Sequence, residues 1–124
     1  MDWLLILHTR LANAVVIFML LMGLWGVLNF IRRLPVTPSY FGALVIGEGL
    51  VLAQSLLGIS LFAFGLRAGG LIHYLYGIMT IISLPAAFAY LQGDTSRRAT
   101  TIYALICLFI FGLGIRGILT ARGG

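Results

Sequence analysis

Three side chains in this 124-residue sequence could do chemistry within an otherwise apolar chain: His8 in LLILHTRLANA, Glu48 in VIGEGLV and His73 in RAGGLIHYLYG. A neutral imidazole offers one lone pair to a metal and one N–H to an acceptor. A carboxylate surrounded by hydrocarbon must be paired, hydrated or protonated. What these groups can do depends on whether the elements carrying them bring them together.

Those elements are membrane spans by composition. Hydrophobic residues make up 61% of the chain and charged residues 9%, with a mean hydropathy of +1.11. A hydrocarbon core of about 30 Å needs about 20 residues of helix, and the apolar runs predict spans at roughly 4–30, 41–64, 70–91 and 99–118. The fold expected is an all-α integral membrane protein, one domain over residues 1–124, with no soluble domain. The first run passes twenty residues and ends in Arg32-Arg33 without a small-residue cleavage site, so it reads as a retained helix and not a secretion signal. Cys107 is alone and lies in the fourth run, which excludes a disulfide framework and suggests an inert buried thiol.

Short connections make successive helices antiparallel neighbours, an up-down-up-down four-helix bundle. Pro35 and Pro38 mark the first turn, with Thr37 or Ser39 able to cap the second helix. Asp94, Thr95 or Ser96 can cap the fourth, and Pro85 should bend the third. The doublets Arg32-Arg33 and Arg97-Arg98 dominate the first and third loops, opposite Arg10, Arg67 and Arg122. The positive-inside rule then places both termini outside. Interfacial arginine pairs suit lipid headgroups, and nothing in their distribution suggests a nucleic-acid surface. Gly47, Val51, Gln54 and Gly58 share one face of the second helix, where small residues allow close packing and Gln54 could hydrogen-bond across to a neighbour.

In this topology the first and third helices are parallel, so His8 and His73 arrive at the same depth. Below His8 the face continues through Ala12, Val15, Met19 and Gly26, and below His73 through Gly77, Thr80, Leu84 and Ala87. Packed helices lie about 8–10 Å apart, so the bundle diagonal is roughly 14 Å. That is room for a planar macrocycle with an imidazole on each face, which is a one-electron site with both axial positions filled. Arg10 and Arg67 could neutralise haem propionates, and Tyr74 or Tyr76 could add hydrogen bonds or ring edges. The competing expectation is that the histidines, with Trp3, Tyr40, Tyr74 and Tyr76, are ordinary interface anchors. Two histidines fall short of a zinc site. Glu48 falls in the other half of the membrane with no basic intrachain partner, leaving a polar packing contact, a proton or quinone contact, or a bond to another subunit.

At EGLVLAQSLLGISLFAFGLRAGGLIHYLYG, residues 48–77, the chain resembles haem-binding four-helix membrane bundles, notably one half of haem A synthase and more loosely the cytochrome b561 group. The similarity rests on AQSLLG at 53–58, a short glycine-containing loop, and His73 opening the next helix. It implies haem b as cofactor with His8 and His73 as its ligands. The chain departs from haem A synthase in having no helix before that of His8 and no glutamate shortly before either histidine, which removes support for haem A synthesis. It departs from the cytochrome b561 group in having two histidines where four would hold two haems.

The function expected is that of a small membrane cytochrome or electron-transfer subunit, in a membrane such as the bacterial cytoplasmic membrane. The alternative is an accessory subunit, without a cofactor, of a larger respiratory or photosynthetic complex. Partners on either reading are lipids, other membrane subunits or a second copy, with a quinone conceivable at Glu48. Transport has only the solitary Glu48 in its favour, and no phosphate loop or nucleophile triad is present.

Overall fold

The computed structural model describes residues 2–65 and 71–121, which form four helices: α1 Asp2–Ile31, α2 Pro38–Ala63, α3 Ile72–Leu91 and α4 Arg97–Ala121. All four are long and apolar enough to cross a membrane. The shortest, α3, has 20 residues, about 30 Å of helix and one hydrocarbon thickness.

Local chemistry sets the ends. Arg33 takes a left-handed conformation, φ 60°, while the Leu34 amide donates to Asn29 O and the Arg33 amide to Phe30 O. This is a Schellman closure with arginine where glycine is usual. Helix α2 begins three residues before its apolar run because Thr37 caps it, accepting from the Tyr40 amide at 3.2 Å. Pro38 then occupies the first helical position, where no N–H is needed. Gly65, φ 90°, turns the chain after α2; Gly69 and Gly70 lie outside the described residues. Helix α3 is continuous through Pro85.

Helix α1 packs on α2 and α4, and α3 on α2 and α4, whereas α1 and α3 have no Cα pair within 8 Å among the described residues. They therefore occupy a diagonal. The largest interface is α1 with α4 and the smallest α2 with α3. Gly26, Gly23 and Gly114 permit the close α1–α4 approach, standing against Ala104, Leu108 and Val16 respectively. At one end the two short loops join: the Val36 amide donates to Thr95 O at 2.8 Å, and Thr100 Oγ1 donates to Leu34 O at 3.0 Å.

The main apolar cluster fills the bundle from that end. Its members span Val15 to Met22 on α1, Tyr40 to Val51 on α2, Leu84 to Leu91 on α3 and Ala99 to Ile110 on α4. Met19, Tyr40, Cys107 and Ile110 are almost completely enclosed, in agreement with the inert thiol expected for Cys107. Toward the other end, Leu4, Leu61 and Leu113 are buried but stand outside the cluster.

Candidate functional site

The histidines meet in that less filled end. His8 and His73 are both half-buried, and their rings lie 6.3 Å apart, centroid to centroid, with planes at 75°. They reach one another across the diagonal from helices whose backbones do not touch. Three helices carry residues of this site at equal remove from the core. His8 precedes the cluster's outermost α1 residue, Val15, by seven positions, Gly58 follows Val51 by seven on α2, and Gly117 follows Ile110 by seven on α4. Seven residues is about 10 Å of helix. The site thus lies two turns beyond the continuous apolar core.

The orientation of His73 follows from its hydrogen bonds. Its Nδ1 is 2.8 Å from Gly117 O, and a carbonyl can only accept, so Nδ1 carries a hydrogen. Thr120 Oγ1, 3.4 Å from the same nitrogen, donates its own proton to Arg116 O at 2.8 Å and so also presents a lone pair to the ring. A neutral His73 therefore has its free lone pair on Nε2. An N–H held by a backbone carbonyl is the usual means of fixing a metal-ligating imidazole. Gly117 O also stands 3.2 Å from the Thr120 hydroxyl, which ties back into the last turns of α4.

His8 is positioned from α2. Gln54 Nε2 donates to His8 O at 2.8 Å, the interhelical bond expected of that glutamine. Gly58 lies under the ring, where a Cβ would stand 3.2 Å from His8 Cε1. Gly47 packs on Met19 and Phe18, and Val51 is buried, so the whole small-residue face of α2 is turned to α1. His8 Nδ1 and Gln54 Oε1 are buried without a hydrogen-bond partner. An unsatisfied ring nitrogen in apolar surroundings costs roughly 1–3 kcal/mol.

The remaining candidates are placed elsewhere. Glu48 is ten residues from Gly58, about 15 Å along α2, and so is not brought to the imidazoles. Its Oε1 is buried without a partner, and Ser55 donates to Val51 O instead. Arg10 is exposed. It follows His8 by two positions, about 200° around the axis, so the two side chains leave α1 on opposite sides. Arg67 lies outside the described residues. Tyr74 is in ring contact with His73 at 5.6 Å and with Phe62 at 5.5 Å, across the α2–α3 seam.

Sequence reasoning missed the contribution of α4. Gly117 and Thr120 have no marked chemistry, and only the packing of α3 on α4 makes their oxygens partners of His73. Arg116, exposed on α4 next to Gly117, is a further arginine, with Arg10, toward the histidine end, beyond the three that the sequence set against the loop doublets. The charge asymmetry of the chain therefore rests on the compact loop doublets and not on number.

Among the described residues, no three His, Cys, Asp or Glu side chains converge to hold a metal ion. Comparison with known proteins finds no matching family model, no similar curated protein and no similar solved structure.

Proposed function

We propose that the chain is a small membrane electron-transfer protein binding one b-type haem between His8 and His73. The observation that carries this reading is the facing of the two imidazoles across the diagonal with His73 Nδ1 held by Gly117 O. An imidazole nitrogen sits about 2 Å from a metal, so two imidazoles on opposite sides of one metal have centroids roughly 6 Å apart, close to the separation found. The end of the core cluster two turns below, and the slight α2–α3 interface beside the site, favour it as well. His8 and His73 would hold the haem, which when bound would supply one-electron transfer. The chain's own residues orient the ligands: Gly117 and Thr120 fix the His73 tautomer, Gln54 anchors the His8 backbone and Gly58 seats its ring.

The same proposal takes the fold to be an up-down-up-down bundle with both termini on the outer side. Residue pairings support the topology, since numbers rise along α1 as they fall along α4 in the pairs Val16–Gly114, Gly23–Leu108 and Gly26–Ala104. The paired arginine loops support the orientation. Among the described residues, Arg10 and Arg116 are the cations on this side of the core, and Arg116 is the one on the helix that orients a ligand.

The test is a reduced-minus-oxidised visible spectrum of the purified protein. A bis-histidine signature lost in both His8→Ala and His73→Ala is expected. A folded protein that contains no haem and takes none up on reconstitution would overturn the proposal, and the accessory-subunit reading would then stand in its place.

A further inference from the structure

The opposite end of the bundle carries a second feature, independent of the histidines. Between α3 and α4 runs an open apolar groove of about 380 Å³. Ser83, Ala86 and Ala87, too small to fill the space between the helices, line it together with Ile82, Ile106 and Phe109. Along α3 it extends from Tyr90 to Met79. Eleven residues make about 16 Å of helix, close to the hydrocarbon depth of one leaflet, about 15 Å.

The mouth of this groove is cationic. Tyr90, at its end, accepts a hydrogen bond from Arg98 Nη2 at 2.9 Å, and the guanidinium lies over the tyrosine ring at 5.4 Å. Arg97, its neighbour in sequence, turns instead to α1, donating from Nε to Phe30 O at 3.1 Å and stacking on the Phe30 ring. Because the two loops are joined, Arg32 and Arg33 belong to the same end. Of the chain's three acidic residues only Asp94 is there, and it is engaged by Ser96 and, at 3.7 Å, by Arg98. Four exposed arginines therefore face one carboxylate, and one of them is fixed at the head of a slot as deep as a leaflet.

We propose that this groove is a site for an anionic diacyl phospholipid, with an acyl chain along Ser83, Ala86 and Ala87 and the phosphate headgroup at Arg98. Charge complementarity and depth select this occupant. A partner helix would not need the pinned guanidinium, and a zwitterionic lipid would not exploit the excess of positive charge. A guanidinium held by Tyr90 still has unused N–H donors in a planar fork that matches phosphate.

Native mass spectrometry of the detergent-purified protein with palmitoyl-oleoyl phosphatidylglycerol and the phosphatidylcholine of the same chains tests this. The unchanged protein should retain phosphatidylglycerol about fivefold better, the contribution expected of a single arginine near the surface. Arg98→Gln should abolish the preference while leaving phosphatidylcholine binding unaltered. Ala86→Phe, at an exposed position, should fill the groove and weaken both lipids, whereas Ala86→Ser should bind as the unchanged protein does. Circular dichroism and elution volume verify that each variant is folded. Equal retention of the two lipids by the unchanged protein, or undiminished phosphatidylglycerol binding by folded Ala86→Phe, would overturn the proposal.

Discussion

On the proposed haem-binding reading, enlarging Gly58 should weaken haem uptake in proportion to the added bulk. An alanine Cβ there would stand 3.2 Å from His8 Cε1, while non-bonded carbons rest at about 3.5–4.0 Å. The ring must therefore retreat by roughly 0.3–0.8 Å to restore ordinary contact. It cannot do so by carrying α1 with it at no cost, because Gln54 holds His8 O at 2.8 Å. Metal–ligand distances tolerate only about 0.2 Å, so alanine already exceeds the allowance and valine exceeds it further. A loss of about 10–100-fold in affinity is expected, comparable to removing an outer hydrogen bond from a ligating histidine, and equivalent to about 1.4–2.8 kcal/mol. The assay is titration of haem into cofactor-free protein, followed by the visible absorption of the bound form, for Gly58→Ala and Gly58→Val. Gly49→Ala is the control, since a Cβ at that α2 position meets nothing within 4 Å. Wild-type affinity and spectrum in a folded Gly58→Val protein would refute the placement of His8 against this glycine as a ligand seat.

Two further outcomes concern the scaffold. Gly26→Ala would bring a Cβ to 2.6 Å from Ala104 Cβ and against the Tyr40 hydroxyl, which is itself hydrogen-bonded to Met22 O at 3.1 Å. Overpacking should cost about 1–3 kcal/mol, read as a lowered unfolding midpoint in mixed detergent micelles and recovered in part by adding Ala104→Gly; an unchanged midpoint would mean the α1–α4 contact is looser than described. At the loop end, hydrogen bonds from the Ser96 amide and hydroxyl, helped by Arg98, hold the Asp94 carboxyl below its usual range. The folded state thus favours the ionised form, and its stabilisation is present above the unfolded value near pH 4 and lost as pH falls through the lower folded value. Melting curves of the unchanged protein and Asp94→Asn should differ at neutral pH and converge in acid, and a difference that persists in acid would show that Asp94 acts through geometry and not charge.

The sequence by itself determined the helices and their ends. Apolar runs a membrane thickness long leave helix as the way to satisfy the backbone in hydrocarbon, and each end of the four helices falls within three residues of the bounds read from those runs. The start of α2 was displaced because Pro38 at the first helical position extends a helix that its apolar run alone would begin later. The 3.6-residue period likewise placed Gly47, Val51, Gln54 and Gly58 on one face, and that face packs on α1.

What only the tertiary structure decided was which groups satisfy the site. Helix periodicity shows that residues share a face but not which neighbour that face meets, so the pairing of His73 with Gly117 and Thr120 could not be read from two residues without distinctive chemistry. Equal depth could be argued for His8 and His73 in advance; the 6.3 Å approach of their rings required the crossing of helices on a diagonal. By contrast, the turn of Arg10 away from His8 and the separation of about 15 Å between Glu48 and the level of the site follow from helix period and rise alone. A side chain's identity and period are local properties of the chain. Its partner is set by close approach between helices, which depends on where small residues such as Gly26 and Gly58 allow two backbones to meet.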